Sequence, residues 1–223
     1  MKLLFLLFSL VSGNLIEQNL RRNLLQNYDK NLIPVRNNSH RIEMRYGIEI
    51  LGLNYFNQKA ENIELNVYLK QKWRDEYLVW NTSAYNIDYI YLNSDDIWKP
   101  DLELYNSGKK PFLFSDKNRV KVEKNGLVTW TVLKSYKFGC MLNLQKFPFD
   151  KQECNLLFGS WKFSKTQLNV APFVNQTFNS ISVAPDFSHN EWNIINTYVD
   201  HQEIEYLCCP GELYPNTYFY IEL

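Results

Sequence analysis

Four cysteines are the side chains of this sequence best able to form covalent cross-links, and they fall into two unlike pairs. Cys140 and Cys154 enclose thirteen residues. A disulfide across that loop would restrict the unfolded chain by about 3 kcal/mol on the loop-entropy model. Cys208 and Cys209 are adjacent, with Cα atoms about 3.8 Å apart, closer than in most disulfides. Spacing favours pairing within each set, although separate pairing of Cys208 and Cys209 with the other two cysteines stays open.

Aromatic side chains are the second group that could do chemistry, with 15 Tyr, 14 Phe and 6 Trp in the chain. A quaternary ammonium has no hydrogen to donate, so ring faces bind it best, at about 0.5–2 kcal/mol each. For any single ring, core packing is the commoner role. Tyr206 and Tyr214 are exceptions, because they flank a cysteine loop that contains Pro210-Gly211. Packing is the role expected of the following tryptophans: Trp73, Trp80, Trp98, Trp130 and Trp192.

The loop between Cys140 and Cys154 carries two phenylalanines around a proline, in the run Phe147, Pro148, Phe149 and Asp150. This composition predicts an exposed apolar tip and not a buried strand. The loop is therefore either a structural staple or a segment that docks onto an apolar surface.

Extended chain must position most of these residues. Apolar residues alternate with polar ones from Ile63 to Trp73, which predicts a half-buried strand with Tyr68 on its polar side. A helix is predicted over 14–31, before Pro34. An all-β sandwich follows, because many short strands occur without long intervening helices. The other predicted strands are 41–56, 85–92, 112–115, 118–123, 127–134, 136–144, 153–162, 191–206 and 214–223.

A hairpin turn is predicted at Asn125-Gly126, and its length decides which side chains share a face. A two-residue turn and a three-residue turn with Gly126 in the left-handed region differ by one place. The choice decides whether Lys121 or Val122 faces outward.

The chain has the features of a secreted or cell-surface product. Residues 1–13 match a cleavable signal peptide, leaving 14–223 as one domain. Glycosylation sequons lie at Asn37, Asn81 and Asn175. Beyond the leader, no apolar run is long enough to span a bilayer.

Several classes of function are disfavoured by composition. The 24 basic and 24 acidic residues cancel, so a nucleic-acid partner is not expected. His40, His189 and His201 are scattered without metal-ligand spacing or a paired nucleophile. Neither an enzyme, a cofactor nor a metal site is therefore expected.

Five motifs occur in order along 14–223. From the N-terminus, they are Trp98-Lys99-Pro100-Asp101 with Leu104-Tyr105-Asn106, the 140–154 loop, Gly159-Ser160-Trp161, Tyr206-Leu207-Cys208-Cys209, and Tyr214. In these the chain resembles α-type subunits of nicotinic acetylcholine receptors, which are Cys-loop ligand-gated ion channels. The resemblance implies an immunoglobulin-like sandwich of about ten strands behind an N-terminal helix. It also implies a pentamer that binds an acetylcholine-like cation between subunits.

The resemblance also assigns site residues. Its principal face comprises Tyr105, Trp161, Tyr206 and Tyr214, capped by a Cys208–Cys209 disulfide. Its complementary face, offered to a neighbouring subunit, comprises Tyr68, Lys121, Thr129 and Thr131. Residues 147–150 would form the loop that couples binding to the pore. For the Asn125-Gly126 hairpin, the family alignment selects the turn in which Lys121, and not Val122, faces the site.

Two positions depart from the nicotinic pattern. Nicotinic subunits carry a lysine shortly after the cysteine equivalent to Cys154 and an aspartate shortly after the tyrosine equivalent to Tyr214. Here those positions hold Leu157 and Asn216. Replacing both charged residues destabilises the protein less than replacing one, because no charge is left without its ion-pair partner. Agonist binding is then expected to survive while its usual coupling to gating is weakened. Tyr68 replaces a common tryptophan, which suggests a subunit that acts mainly as the principal partner.

The sequence therefore predicts the extracellular agonist-binding domain of a pentameric acetylcholine-gated channel subunit, at the outer face of the plasma membrane. Residue 223 falls where the family enters its first membrane helix, so membrane contact is expected only through a transmembrane region absent from this sequence. The alternative is a secreted acetylcholine-binding protein without a pore. The two phenylalanines at the loop tip favour the channel.

Overall fold

A computed structural model describes residues 15–108, 112–113, 119–147, 149–174 and 180–223, with 112–113 described by their backbone only. The predicted signal peptide, Pro148 and the sequon at Asn175 lie outside these ranges. No helix within them has the length and apolar character needed to cross a bilayer.

Helix α1 spans residues 15–25, which is shorter than predicted. It buries Leu20 and leaves Leu15 and Ile16 exposed. The helix ends at residue 25 because short polar side chains beyond it form hydrogen bonds with the nearby backbone. For example, the N–H of Asn31 donates to Asp29 Oδ1 at 2.9 Å.

Most of the remaining chain is extended, as predicted. The strands are β1 (Ile42–Asn57), β2 (Asn62–Val79), β3 (Tyr89–Asn93), β4 (Leu102–Leu104), β5 (Phe112–Leu113), β6 (Arg119–Glu123), β7 (Asn125–Gly139), β8 (Glu153–Ser160), β9 (Leu168–Pro172), β10 (Ile181–Val183), β11 (Asn196–Glu205) and β12 (Leu213–Glu222). They form an eight-stranded sheet of order β10-β1-β2-β7-β6-β3, with β9 also on β1 and β5 on β7, and a four-stranded sheet of order β11-β12-β8-β4.

The described residues fall into two compact units. The first comprises the described residues within 1–42, 73–99 and 117–130, and the second those within 43–72, 100–116 and 131–223. Within the second unit, aromatic rings from both sheets meet edge to face. Tyr46 of β1 lies 6.1 Å from Phe158 of β8 and 5.6 Å from Phe219 of β12, between ring centroids. This packed interior confirms the predicted sandwich.

A buried carboxylate, Asp75, connects separate segments of the first unit, and no local sequence pattern predicts it. Tyr28 donates its hydroxyl hydrogen to Asp75 Oδ2 at 2.6 Å, and the N–H of Tyr77 donates to Asp75 Oδ1 at 2.9 Å. Burial raises the pKa of Asp75 despite these bonds. The Tyr28 oxygen also accepts from the N–H of Trp98 at 3.0 Å. Three segments distant in sequence are thus tied together.

Several strand boundaries were predicted wrongly. The strand expected from residue 85 begins at Tyr89, because Asn81 caps a one-turn helix, α2 (Thr82–Tyr85), that ends at Asn86 in the left-handed region. Strands expected at 127–134 and 136–144 are one strand, β7, which the intervening Ser135 does not interrupt because its hydroxyl bonds Glu64 Oε1 at 2.9 Å. The short strands β4, β9 and β10 were not predicted, since three to five residues carry little periodicity.

Candidate functional site

A cavity of about 510 Å³ in the second unit brings together all six residues predicted for the principal face. Its lining is Tyr105, Ser160, Trp161, Tyr206, Leu207, Cys208, Cys209 and Tyr214. Ser160 and Leu207 were present in the quoted motifs without an assigned role. Disulfides join Cys140 to Cys154 and Cys208 to Cys209, which excludes the separate pairing left open by the sequence.

One wall of the cavity is built from β4 and β8. Tyr105 directly follows β4, and its hydroxyl donates to the carbonyl oxygen of Ser160 at 2.6 Å. Trp161 directly follows β8, with its ring centroid 5.9 Å from that of Tyr105 at 83°. The turn that presents Trp161 is fixed by Asp101, whose carboxylate accepts from Ser160 Oγ and from the N–H of Lys162, both at 2.7 Å. Asp101 is a positioning residue; it belongs to the Trp98–Asp101 motif, but the sequence alone does not predict this role.

Gly159 is the position where the wall requires a glycine. A Cβ added there would lie 2.7 Å from the Tyr105 hydroxyl oxygen and 2.6 Å from Asn216 Oδ1. Both distances are far below van der Waals contact. Only the absence of a side chain lets the Tyr105 ring lie against the strand.

The β11–β12 hairpin supplies the opposite wall. Tyr206 and Tyr214 lie on its two arms, with ring centroids 5.6 Å apart at 65°. The Cys208–Cys209 disulfide lies in the turn between them, where Gly211 adopts φ +83°. The N–H of Gly211 donates to Glu205 Oε1 at 2.9 Å, which ties the turn to β11. The hairpin therefore holds two rings and the disulfide in one place.

We call the rings of Tyr105, Trp161, Tyr206 and Tyr214 the aromatic cage; Asn216 holds one of its tyrosines. It is 1% exposed, and its Nδ2 donates to the Tyr206 hydroxyl oxygen at 2.6 Å. Its Oδ1 has no hydrogen-bond partner in the described part of the chain. Leu157 is half-buried on β8, two places from Gly159, which is the register partner of Asn216. Both departures from the nicotinic pattern thus lie together, and neither carries a charge.

The cage is built from neutral aromatic groups. Burial raises the pKa of Tyr105, and electrostatic repulsion from the nearby Tyr206 and Asp101 raises it further. A hydrogen bond to Glu212 raises the pKa of Tyr214, whose hydroxyl donates to Glu212 Oε2 at 2.9 Å. Both phenols therefore stay protonated at neutral pH. Such a site offers aromatic ring faces, which are groups that bind an organic cation.

The residues predicted for the complementary face lie elsewhere and do not line this cavity. Tyr68 is 38% exposed on β2, where its strand phase placed it, and Thr131 is exposed on β7. In the first unit, Lys121 lies opposite Thr129 in the β6–β7 register. The structure brings these last two together as cross-strand neighbours.

The hairpin before Thr129 has the three-residue turn. Val122 pairs with Val128, and Gly126 adopts φ +81°. A Cβ on Gly126 would lie 2.2 Å from the carbonyl oxygen of Asp75, so glycine is required. Val122 is buried and Lys121 is half-buried, so the turn is the one that the family alignment selects; that Lys121 faces a ligand site stays a prediction.

The Lys121 ammonium already has two partners. Its Nζ lies 3.0 Å from Glu123 Oε1 and 4.7 Å from the centroid of the Tyr89 ring. The hydrogen bond to Glu123 raises the pKa of Lys121. The lysine therefore remains charged, and its ammonium lies between the Glu123 carboxylate and the Tyr89 ring.

The predicted coupling loop exposes its phenylalanines. Phe147 is 74% exposed and Phe149 is 87% exposed, and the side chain of Asp150 bonds that of Gln152. Met141 and Leu144 of the same loop are also exposed. The apolar tip expected from the sequence is thus present in the residues described.

Two of the three predicted glycosylation sites can be located. Asn37 and Asn81 are both exposed. The Oδ1 of each accepts a hydrogen bond from the backbone of the serine two residues on, at 3.0 Å and 2.9 Å. Both asparagines are accessible to modification.

The tryptophans assigned to packing divide into two groups. Trp73, Trp80, Trp98 and Trp130 are buried, as expected. Trp192 is half-buried and borders an open cleft of about 580 Å³, with its ring centroid 4.9 Å from that of Phe56 and the two rings tilted by 58°. No group of His, Cys, Asp or Glu side chains within the described ranges is arranged to hold a metal ion.

Comparison with known proteins matches the model of the neurotransmitter-gated ion-channel ligand binding domain to residues 17–223. Acetylcholine receptor subunit alpha-type acr-16 of Caenorhabditis elegans is 32% identical over 212 residues, 95% of this chain and 42% of that protein. Acetylcholine receptor subunit alpha-like 2 of Drosophila melanogaster is 30% identical over 227 residues, 99% of this chain and 39% of that protein. Neuronal acetylcholine receptor subunit alpha-3 of Bos taurus is 31% identical over 215 residues, 96% of this chain and 42% of that protein.

The chain spans about two fifths of the length of these relatives. The family match covers nearly all of the described residues, including every wall of the aromatic cage. The resemblance inferred from the five motifs is thereby confirmed. This chain belongs to the family of neurotransmitter-gated ion-channel ligand-binding domains.

Proposed function

We propose that this chain is the extracellular agonist-binding domain of a pentameric, acetylcholine-gated ion channel subunit. The observation that carries the proposal is the convergence of four rings and a disulfide between adjacent cysteines on one cavity of about 510 Å³. That volume falls within the roughly 300–1,000 Å³ usual for small-molecule sites. A quaternary ammonium suits the site, because neutral rings attract it without requiring hydrogen bonds.

A neighbouring subunit is the proposed second wall. Trp161 is 75% exposed, whereas a ring that binds a cation tightly is normally desolvated. A complementary face on the neighbouring subunit, at the positions that Tyr68, Lys121, Thr129 and Thr131 hold in this chain, would supply the missing cover in the ring of subunits. The Phe147–Phe149 tip would then dock onto the membrane domain, and the oligosaccharides at Asn37 and Asn81 would lie on the extracellular side. Asn175 stays a predicted site.

This chain is proposed to serve mainly as the principal partner. On its own complementary face, the charge of Lys121 is held between Glu123 and the Tyr89 ring. A second cation arriving there would meet an ammonium, and like charges repel. Cationic agonist is therefore expected to favour sites where a different subunit supplies the complementary face.

The direct bond from Asn216 to Tyr206 supports a further part of the proposal. With Leu157 and Asn216 in place of a charged pair, closure of the hairpin would not exchange an ionic partner. Agonist binding would then persist, while transmission to the pore would depend on the 140–154 loop.

Isothermal titration calorimetry of the assembled protein with acetylcholine and nicotine tests the proposal. Trp161→Ala is expected to weaken binding by about 5- to 30-fold, because one cation–π contact contributes about 1–2 kcal/mol when partly desolvated. Trp192→Ala is the matched control, since that ring lies outside the cage. Binding of neither amine by correctly assembled wild-type protein would refute the proposal, as would equal affinity in the Trp161→Ala variant.

A further inference from the structure

A second aromatic surface lies on the outer face of the four-stranded sheet, away from the cage. Tyr198 of β11 and Tyr220 of β12 are register partners, and their rings stack 4.5 Å apart at 8°. Tyr218 continues the stack, 6.1 Å from Tyr220 at 20°. All three face outward, because the alternate β12 residues Phe219 and Ile221 are buried. We call Tyr198, Tyr218 and Tyr220 the tyrosine ladder.

Acidic residues surround the ladder. Glu153 and Glu222 lie directly opposite each other in the β8–β12 register, and Asp200 lies opposite Tyr218. Like charges placed directly across a sheet are destabilising. Tyr198 donates to Glu153 Oε2 at 2.7 Å, yet no described Lys or Arg forms an ion pair with either glutamate. The face therefore combines ring surface with two glutamates that no described Lys or Arg pairs.

The kind of cation that suits this face follows from its groups. A metal ion is disfavoured, because the carboxylates do not form a metal-binding group within the described residues. Aromatic rings beside carboxylates instead match a diffuse organic cation, which gains from both. The other exposed tyrosine pair, Tyr89 and Tyr91, already has such a partner, since the Lys121 ammonium lies 4.7 Å from the Tyr89 centroid. Among the residues described, the ladder has no equivalent cation.

We propose that the tyrosine ladder, with Glu153 and Glu222, is a peripheral binding site for small organic ammonium ions. Its nearest member, Tyr218, lies on the same strand as Tyr214 of the cage, four residues or about 13 Å along β12, and Tyr220 lies six residues or about 20 Å along it. An acidic surface near a site raises the local concentration of a cationic ligand and its rate of arrival. The ladder would therefore bind weakly and supply ligand to the cage. That second role rests on the proposed function, whereas binding at the ladder does not.

The test uses tetramethylammonium as the probe and the Trp161→Ala variant to weaken the cage. Tyrosine-ring NMR signals of Tyr198, Tyr218 and Tyr220 are expected to shift together on titration, with a dissociation constant in the millimolar range. Sodium chloride at equal ionic strength should not reproduce the shifts. In the isosteric variant Glu153→Gln with Glu222→Gln, the dissociation constant should rise at least about fivefold. Signals of Tyr89 and Tyr91 are the internal control and should stay in place.

Shifts of equal size with sodium chloride, or unchanged affinity in the double glutamine variant, would overturn the proposal. If that variant does not fold, as judged by near-ultraviolet circular dichroism, Tyr218→Leu tests the same proposal, because it removes one half-buried ring of the ladder and no charge. Failure of the cage is seen separately, by calorimetry with acetylcholine on the wild type. Acetylcholine association measured by stopped flow should also slow in the double glutamine variant, while its dissociation from the cage stays constant.

Discussion

The hydrogen bond from Asn216 to Tyr206 gives the sharpest prediction about the cage. Asn216→Ala removes a donor that holds the Tyr206 hydroxyl at 2.6 Å. A net hydrogen bond contributes about 1 kcal/mol, so agonist affinity should fall about fivefold if the bond positions the ring. The free energy of unfolding should change less. The variant also removes Oδ1, a buried acceptor without a partner in the described chain, and that removal offsets part of the lost bond.

A double-mutant cycle separates positioning from general damage. Tyr206→Phe removes the same bond from the other side while keeping the ring. Each single variant should weaken acetylcholine binding about fivefold in calorimetry, and the double variant should be no weaker than either, because one interaction is lost in all three. Gln202→Ala is the matched control, since Gln202 is the exposed register partner of Asn216 on β11. Additive losses, near 25-fold in the double variant, would refute the assignment, as would wild-type affinity in Asn216→Ala.

Three further predictions concern the frame around the cage. Gly159→Ala should lower acetylcholine affinity more than tenfold in calorimetry, because its Cβ would displace Tyr105; unchanged affinity would show that the ring can move freely. Replacing both Cys140 and Cys154 with serine should lower the free energy of unfolding by about 3 kcal/mol in urea titrations, and a loss under 1 kcal/mol would contradict the loop-closure argument. The raised pKa of Asp75 means that the folded state binds its proton more tightly than the unfolded state. The contribution of this group is therefore full below the unfolded pKa near 3.9 and is lost as pH rises through the folded value. Relative to Asp75→Asn, the wild type should lose stability above about pH 4, and a parallel pH dependence of the two proteins would contradict this.

Local patterns were enough to predict much of the fold. The alternation from Ile63 to Trp73 placed Tyr68 on the exposed side, because side chains in a strand alternate strictly between faces. The two adjacent cysteines, and the two that enclose thirteen residues, formed the disulfides that spacing favoured. Boundaries were less predictable where a single side chain decided them, as Asn81 does by capping α2.

The candidate site needed information that no local pattern contains. Tyr105, Trp161 and Tyr206 come from separate parts of the chain, and only the pairing of β4, β8, β11 and β12 brings them together. The motifs identified these residues through family resemblance. They did not identify the bond from Asn216 or the stacking of Tyr198 on Tyr220, which depend on strand register set by the whole sheet.

The exposure of Trp161 makes the cage its own optical reporter. Four of the other five tryptophans are buried, so their emission should stay blue-shifted and nearly constant when the solvent or a ligand changes. A water-facing indole emits at longer wavelength, and a cation seated against it alters both intensity and colour. Selective excitation at the red edge of tryptophan absorption would therefore follow occupancy of this one pocket in the unlabelled protein, with Trp192 as the main background.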